Sequence, residues 1–180
     1  MAFDVNQFRA QIQFDGARNN LFEVAMVFPA FSDTSAAVKL TFMCKASQLP
    51  GSQVNHVTVP YFGREVKLAG NRTFQDWDIT VINDEDFVVR RAFELWMNGL
   101  NSHRFNLRNV GAGTPDSYTT NPSITQFGKT GNIIHRYDFV GAFPTAISPI
   151  EVAWDANDRV EDFNVTLAYQ WWEIPSDSII

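Results

Sequence analysis

The sequence predicts a mainly β protein, an antiparallel β-barrel or sandwich with one flanking α-helix. Three observations carry this reading. Aromatic residues are abundant, with 16 Phe, 5 Trp and 4 Tyr, and such side chains suit a pleated, half-buried surface. Several segments alternate apolar and polar residues with period two, the pattern of a strand with one face in the core. A single stretch, NDEDFVVRRAFELWMNGL, spaces its apolar residues at helical intervals instead. At 180 residues the chain is long enough to bury about 70% of its unfolded surface in one core. Neither a repeat nor a linker-like change of composition divides it, so residues 1–180 read as one domain.

In chain order, residues 21–28 and 38–45 are expected strands. Residues 41–74, TFMCKASQLPGSQVNHVTVPYFGREVKLAGNRTF, then interpose a long, largely polar excursion, within which residues 63–68 read as a strand. Pro50 and Gly51 fit the two central positions of a type II turn, which starts the excursion sharply. Taken alone, such a stretch is a mobile surface loop. Residues 73–82 form the next strand, with Trp77, Ile79 and Val81 interleaved with Asp76, Asp78 and Thr80.

The helix follows. Val88, Val89, Ala92, Phe93, Leu95, Trp96 and Leu100 leave Arg90, Arg91, Glu94 and Asn98 as a polar stripe. Asn83 or Asp84 caps its start, Glu85 and Asp86 favour its N-terminal dipole, and Gly99 supplies a left-handed terminating residue. Its place is against a sheet face or barrel end. Arg90 and Arg91 read as an ion-paired solvated face with Asp86 and Glu94 rather than as a phosphate site. Residues 101–132 are rich in Gly, Ser, Thr and Asn, and make either a functional loop or a pair of weak edge strands. Residues 133–143 are a further strand. The clearest strand is residues 160–172, where Phe163, Val165, Leu167, Tyr169 and Trp171 alternate with Asn164, Thr166, Ala168 and Gln170.

Composition excludes several functions. The opening residues carry neither a basic start nor an apolar run, and no stretch of 18 apolar residues occurs, so neither an export signal nor a membrane partner is expected. The single cysteine, Cys44, excludes an internal disulfide and fits core packing in a protein assembled in a reducing cytoplasm. A formal net charge of −6 has the wrong sign for gripping nucleic acid by neutralising phosphates. His56, His103 and His135 match no zinc spacing, and no nucleophile elbow, phosphate loop or dinucleotide fingerprint occurs. No catalytic residue, metal site or cofactor is therefore expected. The aromatic run Phe163, Tyr169, Trp171 and Trp172 reads as core before it reads as the lining of a ligand cavity.

Four segments together carry a family resemblance: FRA…DGARNNLFEV (residues 8–24), CKASQLPGS (44–52), GREVKLAGNRTFQDWDITVINDEDFVVRRAFELWMN (63–98) and GAFPTAISPIEVAWDANDRVEDFNVTLAYQWW (141–172). In order and over nearly the whole chain, they resemble the tail tube protein of T-even-type contractile bacteriophages. The resemblance implies a structural virion protein, not an enzyme. Six copies would join edge to edge into a ring with a continuous inner sheet, and rings would stack into a hollow conduit for genome ejection. Closing sheet edges between subunits would also satisfy their exposed backbone groups. Implied partners are further copies of the chain, the tail sheath, baseplate or tube-initiator proteins, the tail terminator, and the tape measure protein and DNA in the lumen. The long excursion, residues 49–67, sits where that family carries an arm between subunits and rings. Leu49, Pro50, Gly51, Val54, Val57 and Val59 are its candidate contacts.

Asp76 and Asp78, with Asn164, Thr166 and Gln170 as neutral neighbours, are the candidate lumen residues, because an acidic or neutral wall lets DNA slide. The competing placement is an outer sheet facing the sheath. A related Hcp-like tube of type VI secretion or of an extracellular contractile injection system, or a tube initiator, would use a similar ring. From other classes, a monomeric ligand-binding barrel predicts an enclosed apolar cavity of roughly 300 to 1,000 Å³. An enzyme predicts a cleft of perturbed titratable groups.

Overall fold

A computed structural model describes residues 4–176. Two four-stranded antiparallel sheets pack face to face, and a third, two-stranded ribbon stands out from them. The first sheet has the order β1 (Phe22–Ala25), β6 (Ser123–Phe127), β7 (Ile133–Val140) and β10 (Trp171–Glu173). The second has the order β2 (Cys44–Ser47), β5 (Trp77–Ile82), β9 (Asp162–Ala168) and β8 (Phe143–Ile147). Val24, Ile124 and Phe139 from the first meet Trp77, Ile79, Val81, Phe163, Val165 and Leu167 from the second. The Trp77 and Phe139 rings stack across the interface, with centroids 4.1 Å apart. The expected β architecture is thus realised as a sandwich.

Helix α3 (Val88–Leu100) closes the core with Val89, Ala92, Phe93 and Trp96. Phe28 sets its ring edge against both Phe93 and Trp96, and the Trp96 indole N–H donates to the Tyr118 carbonyl at 2.8 Å. The ends of α3 differ from expectation. Phe87, at φ 53°, occupies the N-cap, and the Asp86 carboxylate accepts from Val88 N–H, in place of a cap by Asn83 or Asp84. Gly99 lies inside the helix, because the Phe31 ring packs onto it: a Cβ there would come within 2.4 Å of the ring. Arg90 pairs with Glu94 at 2.9 Å as the spacing predicts, whereas Asp86 turns to Lys39.

Three further expectations are corrected. Residues 38–45 are mostly helix, α2 (Ala36–Met43), and only Cys44 and Lys45 belong to β2. Ala36 and Leu40, one turn apart, are buried, while Val38 and Phe42 face solvent, so alternation in the sequence is not alternation of burial. The 101–132 connection contains β6, an interior strand of the first sheet rather than a weak edge, besides the short helix α4 (Pro115–Tyr118). The last strand is broken: β9 ends at Ala168 and the chain crosses to the first sheet as β10. After the crossing the phase reverses, leaving Trp171 half exposed and Trp172 partly buried against the core. The expected 133–143 strand is likewise divided at Gly141, whose φ of 67° turns β7 into β8.

Candidate assembly surfaces

The excursion after β2 is a β-hairpin of β3 (Gln53–Tyr61) and β4 (Arg64–Thr73), registered from Gln53 opposite Thr73 to Tyr61 opposite Arg64. Phe62 and Gly63, with φ 45° and 81°, form the two-residue type I′ turn whose twist suits a hairpin. A bulge opposite Asn55 falls at Gly70, where a Cβ would approach the Asn55 carbonyl oxygen to 3.0 Å. Nine residues of strand reach about 30 Å. Gly51 is not left-handed, so the expected type II turn at Pro50-Gly51 is absent. Two indoles fix the base of the hairpin instead: Trp77 donates to the Gln48 carbonyl at 2.9 Å and Trp172 to that of Gly51 at 3.1 Å.

The hairpin is amphipathic. Val57 pairs with Leu68, Val59 with Val66 and Tyr61 with Arg64, all projecting to one face. Thr58 with Lys67 and Pro60 with Glu65 occupy the other. Every residue of both strands is exposed except Gly70, so the apolar stripe is bare within the single chain. An isolated two-stranded hairpin is marginal in water. Of the arm candidates, Leu49 and Val54 are also exposed and Pro50 is half-buried. The chain exposes further apolar side chains, among them Phe8 on helix α1 (Val5–Gln11) and Trp154.

The second sheet presents a polar outer face. Asp78 stands opposite Thr166, and Thr80 opposite Asn164. Thr166 Oγ1 donates to Asp78 Oδ1 at 2.6 Å, and Thr80 Oγ1 to Asn164 Oδ1 at 2.8 Å. Lys45 and Asp162 pair at 2.6 Å nearby; the lysine's hydrogen bond holds that carboxyl below its ordinary range. This face therefore carries paired polar groups and little free positive charge. Asp76 lies just before β5, where its charge helps burial raise the Tyr169 phenol. Gln170 sits apart in the β9–β10 crossover, packed on Gly141. Asp78, Asn164 and Thr166 thus share one surface, Thr80 belongs with them, and its place beside Asn164 becomes visible only with the register.

Among the described residues the histidines lie apart. His56 is on the hairpin, His103 follows α3, and His135 is on β7 beside Tyr137. Among the described residues no three His, Cys, Asp or Glu side chains form a metal-binding group. Burial pushes the Cys44 thiol up to about 12, which keeps it protonated and a poor nucleophile. A groove of about 510 Å³ lies along residues 148–164, and one of about 350 Å³ lies between residues 13–18 and 127–134. Both open at the surface, while aromatic and aliphatic side chains occupy the space between the sheets. No described helix is long and apolar enough to cross a membrane.

The described residues thus build a sandwich with a bare amphipathic hairpin and open sheet edges. The phage tail tube protein family matches residues 4–175, and the chain belongs to that family. It is 31% identical over 160 residues to the tail tube protein gp19 of Enterobacteria phage T4, a match covering 88% of this chain and 92% of the relative. It is 24% identical over 168 residues to the tail tube protein of Serratia phage KSP90, covering 92% and 93%. The fold also resembles a protein in the tube-terminating cap of the anti-feeding prophage, with TM-score 0.64, 14% identity and coverage of 97% and 99%. A protein in the sheath–tube complex of an extracellular contractile injection system gives TM-score 0.56, 14% identity and the same coverage. The chain is a structural tail tube protein of a contractile phage virion, not an enzyme.

Proposed function

We propose that six copies form a ring in which the second sheets join through their edges, β2 of one copy beside β8 of the next, into a continuous inner wall. The observation that carries this reading is the outer face of β5 and β9, where Asp78, Thr80, Asn164 and Thr166 satisfy one another. Duplex DNA carries a negative charge every ~1.7 Å, so a cationic wall would hold it through counterion release. A neutral to acidic wall of self-paired groups lets it pass. The hairpin lies with its Val57, Val59 and Val66 face on a neighbouring copy in the same or the next ring, burying the stripe that one chain leaves bare. Rings stack into the conduit, which initiates on a baseplate, ends at a terminator and is enclosed by the sheath. The tape measure protein and the genome occupy the lumen without specific binding.

The test replaces Asp76 and Asp78 with lysine together and follows tube assembly, sheath attachment and genome delivery separately. Normal tubes with slowed or stalled ejection are expected. Normal ejection with failed sheath attachment would place this face on the outside.

A further inference from the structure

Two exposed segments, at opposite ends of α3, carry opposite charge on apolar ground. The first follows the helix C-terminus. Between Glu94 and Asp116 there is no acidic residue, whereas Arg104 and Arg108 stand among Phe105, Leu107 and Val110, all largely exposed. The Arg104 guanidinium lies over the Phe105 ring, with its carbon 4.9 Å from the centroid, which presents a cationic head on an apolar platform. The second segment adjoins the helix N-terminus, where Arg90 donates to the Ser148 carbonyl and Asn83 bonds Glu161. It is the open groove of residues 148–164, about 510 Å³, with Ile150, Val152 and Val160 in its lining. Residues 151–162, EVAWDANDRVED, contain five acids and one arginine, and Trp154 beside the groove is fully exposed. Glu151, Asp155 and Asp158 make no ion pair among the described residues.

Resting on the reading of this chain as a self-assembling tube subunit, we infer that the 148–164 groove receives the Arg104–Phe105 loop of a second copy. The 13 residues of α3 separate the two segments by about 20 Å, so one chain does not satisfy its own pair. Complementary patches at opposite ends of a molecule make a heterologous contact, which repeats from copy to copy instead of closing as a two-fold dimer. Phe105 and Trp154 supply the aromatic area that anchors such interfaces, and the opposite charges fix the partner and its orientation.

The experiment uses two full-length variants, Arg104→Glu with Arg108→Glu, and Glu151→Lys with Asp155→Lys and Asp158→Lys. Folding is checked by near-ultraviolet circular dichroism, and assembly is measured by sedimentation at rising concentration. Each variant alone sets like charges against one another, and its assembly concentration should rise about tenfold or more. Mixed one to one, every loop meets a groove of opposite charge, and assembly should return to within about threefold of wild type. Phe105→Ser, which removes only an exposed ring, should weaken assembly without touching charge, and replaces either variant that does not fold. Variants that assemble like wild type, whether or not they lose sheath attachment, overturn the docking, as does a mixture no better than its components. A wild-type chain that neither assembles alone nor extends a baseplate-primed tube overturns the tube reading itself and the docking with it, and so is told apart from a failure of the docking alone.

Discussion

At the scale of single residues, a few side chains fix helix α3 against its neighbours. Gly99 shows how packing overrides propensity. Alanine in a helix interior gains about 1 kcal/mol over glycine, but here the new Cβ would collide with the Phe31 ring at 2.4 Å. Overpacking costs roughly 1–3 kcal/mol, so Gly99→Ala should lower stability by about 1 kcal/mol in urea unfolding rather than raise it. The glycine was legible as important, but its reason was not, because Phe31 is 68 residues away in sequence and the sequence alone suggested a terminating turn. Lys39 gives a pH-dependent case. It donates to Asp84 at 2.6 Å and to Asp86, joining α2 to the approach to α3. Those hydrogen bonds lower both carboxyls below the ordinary 3.8 and raise the lysine above 10.5. The carboxyl contribution is present above the ordinary value and lost as pH falls through the lowered ones, while the lysine contribution is lost only as pH rises past its raised one. All three groups are at the surface, so the effect is modest. Melting temperature measured from about pH 5 to pH 2 should fall less steeply in Lys39→Met than in wild type.

At the scale of elements, the hairpin is the proposed arm, and one chain leaves its apolar stripe exposed. Val57, Val59, Val66 and Leu68 are each about half exposed, and completing their burial is worth on the order of 1 kcal/mol apiece. Two substitutions on adjacent positions separate this face from the other. Val59→Glu should raise the concentration needed for assembly by about tenfold or more, whereas Thr58→Glu, on the opposite face, should change it by less than about threefold. Equal effects would remove the facial argument. Replacing residues 53–73 with a short Gly-Ser linker should leave the sandwich folded, since closure entropy depends only logarithmically on length, and should impair stacking.

The strands that face a two-sided core were readable from sequence because period two translates directly into burial, as at Trp77, Ile79 and Val81 or Phe163, Val165 and Leu167. Residues 38–45 misled for the same reason: Val38, Leu40 and Phe42 alternate, yet only Leu40 of the three is buried. The local signal against a strand was the Asp33-Thr34-Ser35 run, in which Asp33 accepts from the Ser35 N–H ahead of the helix. Strand β6 was hidden by its polarity, since Ser123 and Thr125 are buried through interior sheet pairing that no single-sequence pattern announces. The crossover after Ala168 had one sequence cue, the Trp171-Trp172 doublet that breaks the alternation.

At the scale of the whole molecule, the family and its overall architecture were legible because four long segments resemble tail tube proteins in order, and the family match extends over residues 4–175. The candidate lumen face was legible only as a set of alternate positions. The fold brings Asp78, Asn164 and Thr166 onto one surface and sends Gln170 to the crossover, a separation set by strand register and by the change of sheet. What a single chain leaves undone is visible in its surfaces: a bare hairpin stripe, the open edge strands β1, β10, β2 and β8, and exposed aromatic side chains such as Phe62 and Trp154. Patches of this kind on a folded chain mark contacts to come. The measurement that tests this most directly is electron cryomicroscopy of the purified chain at rising concentration, supplemented by a tube grown from the baseplate of its own phage. The account predicts hollow six-fold rings stacked into a tube, with the β5–β9 polar face on the inner wall and the Val57–Val59 stripe covered by a neighbouring copy. A monodisperse monomer at every concentration that also fails to extend a baseplate-primed tube would contradict it.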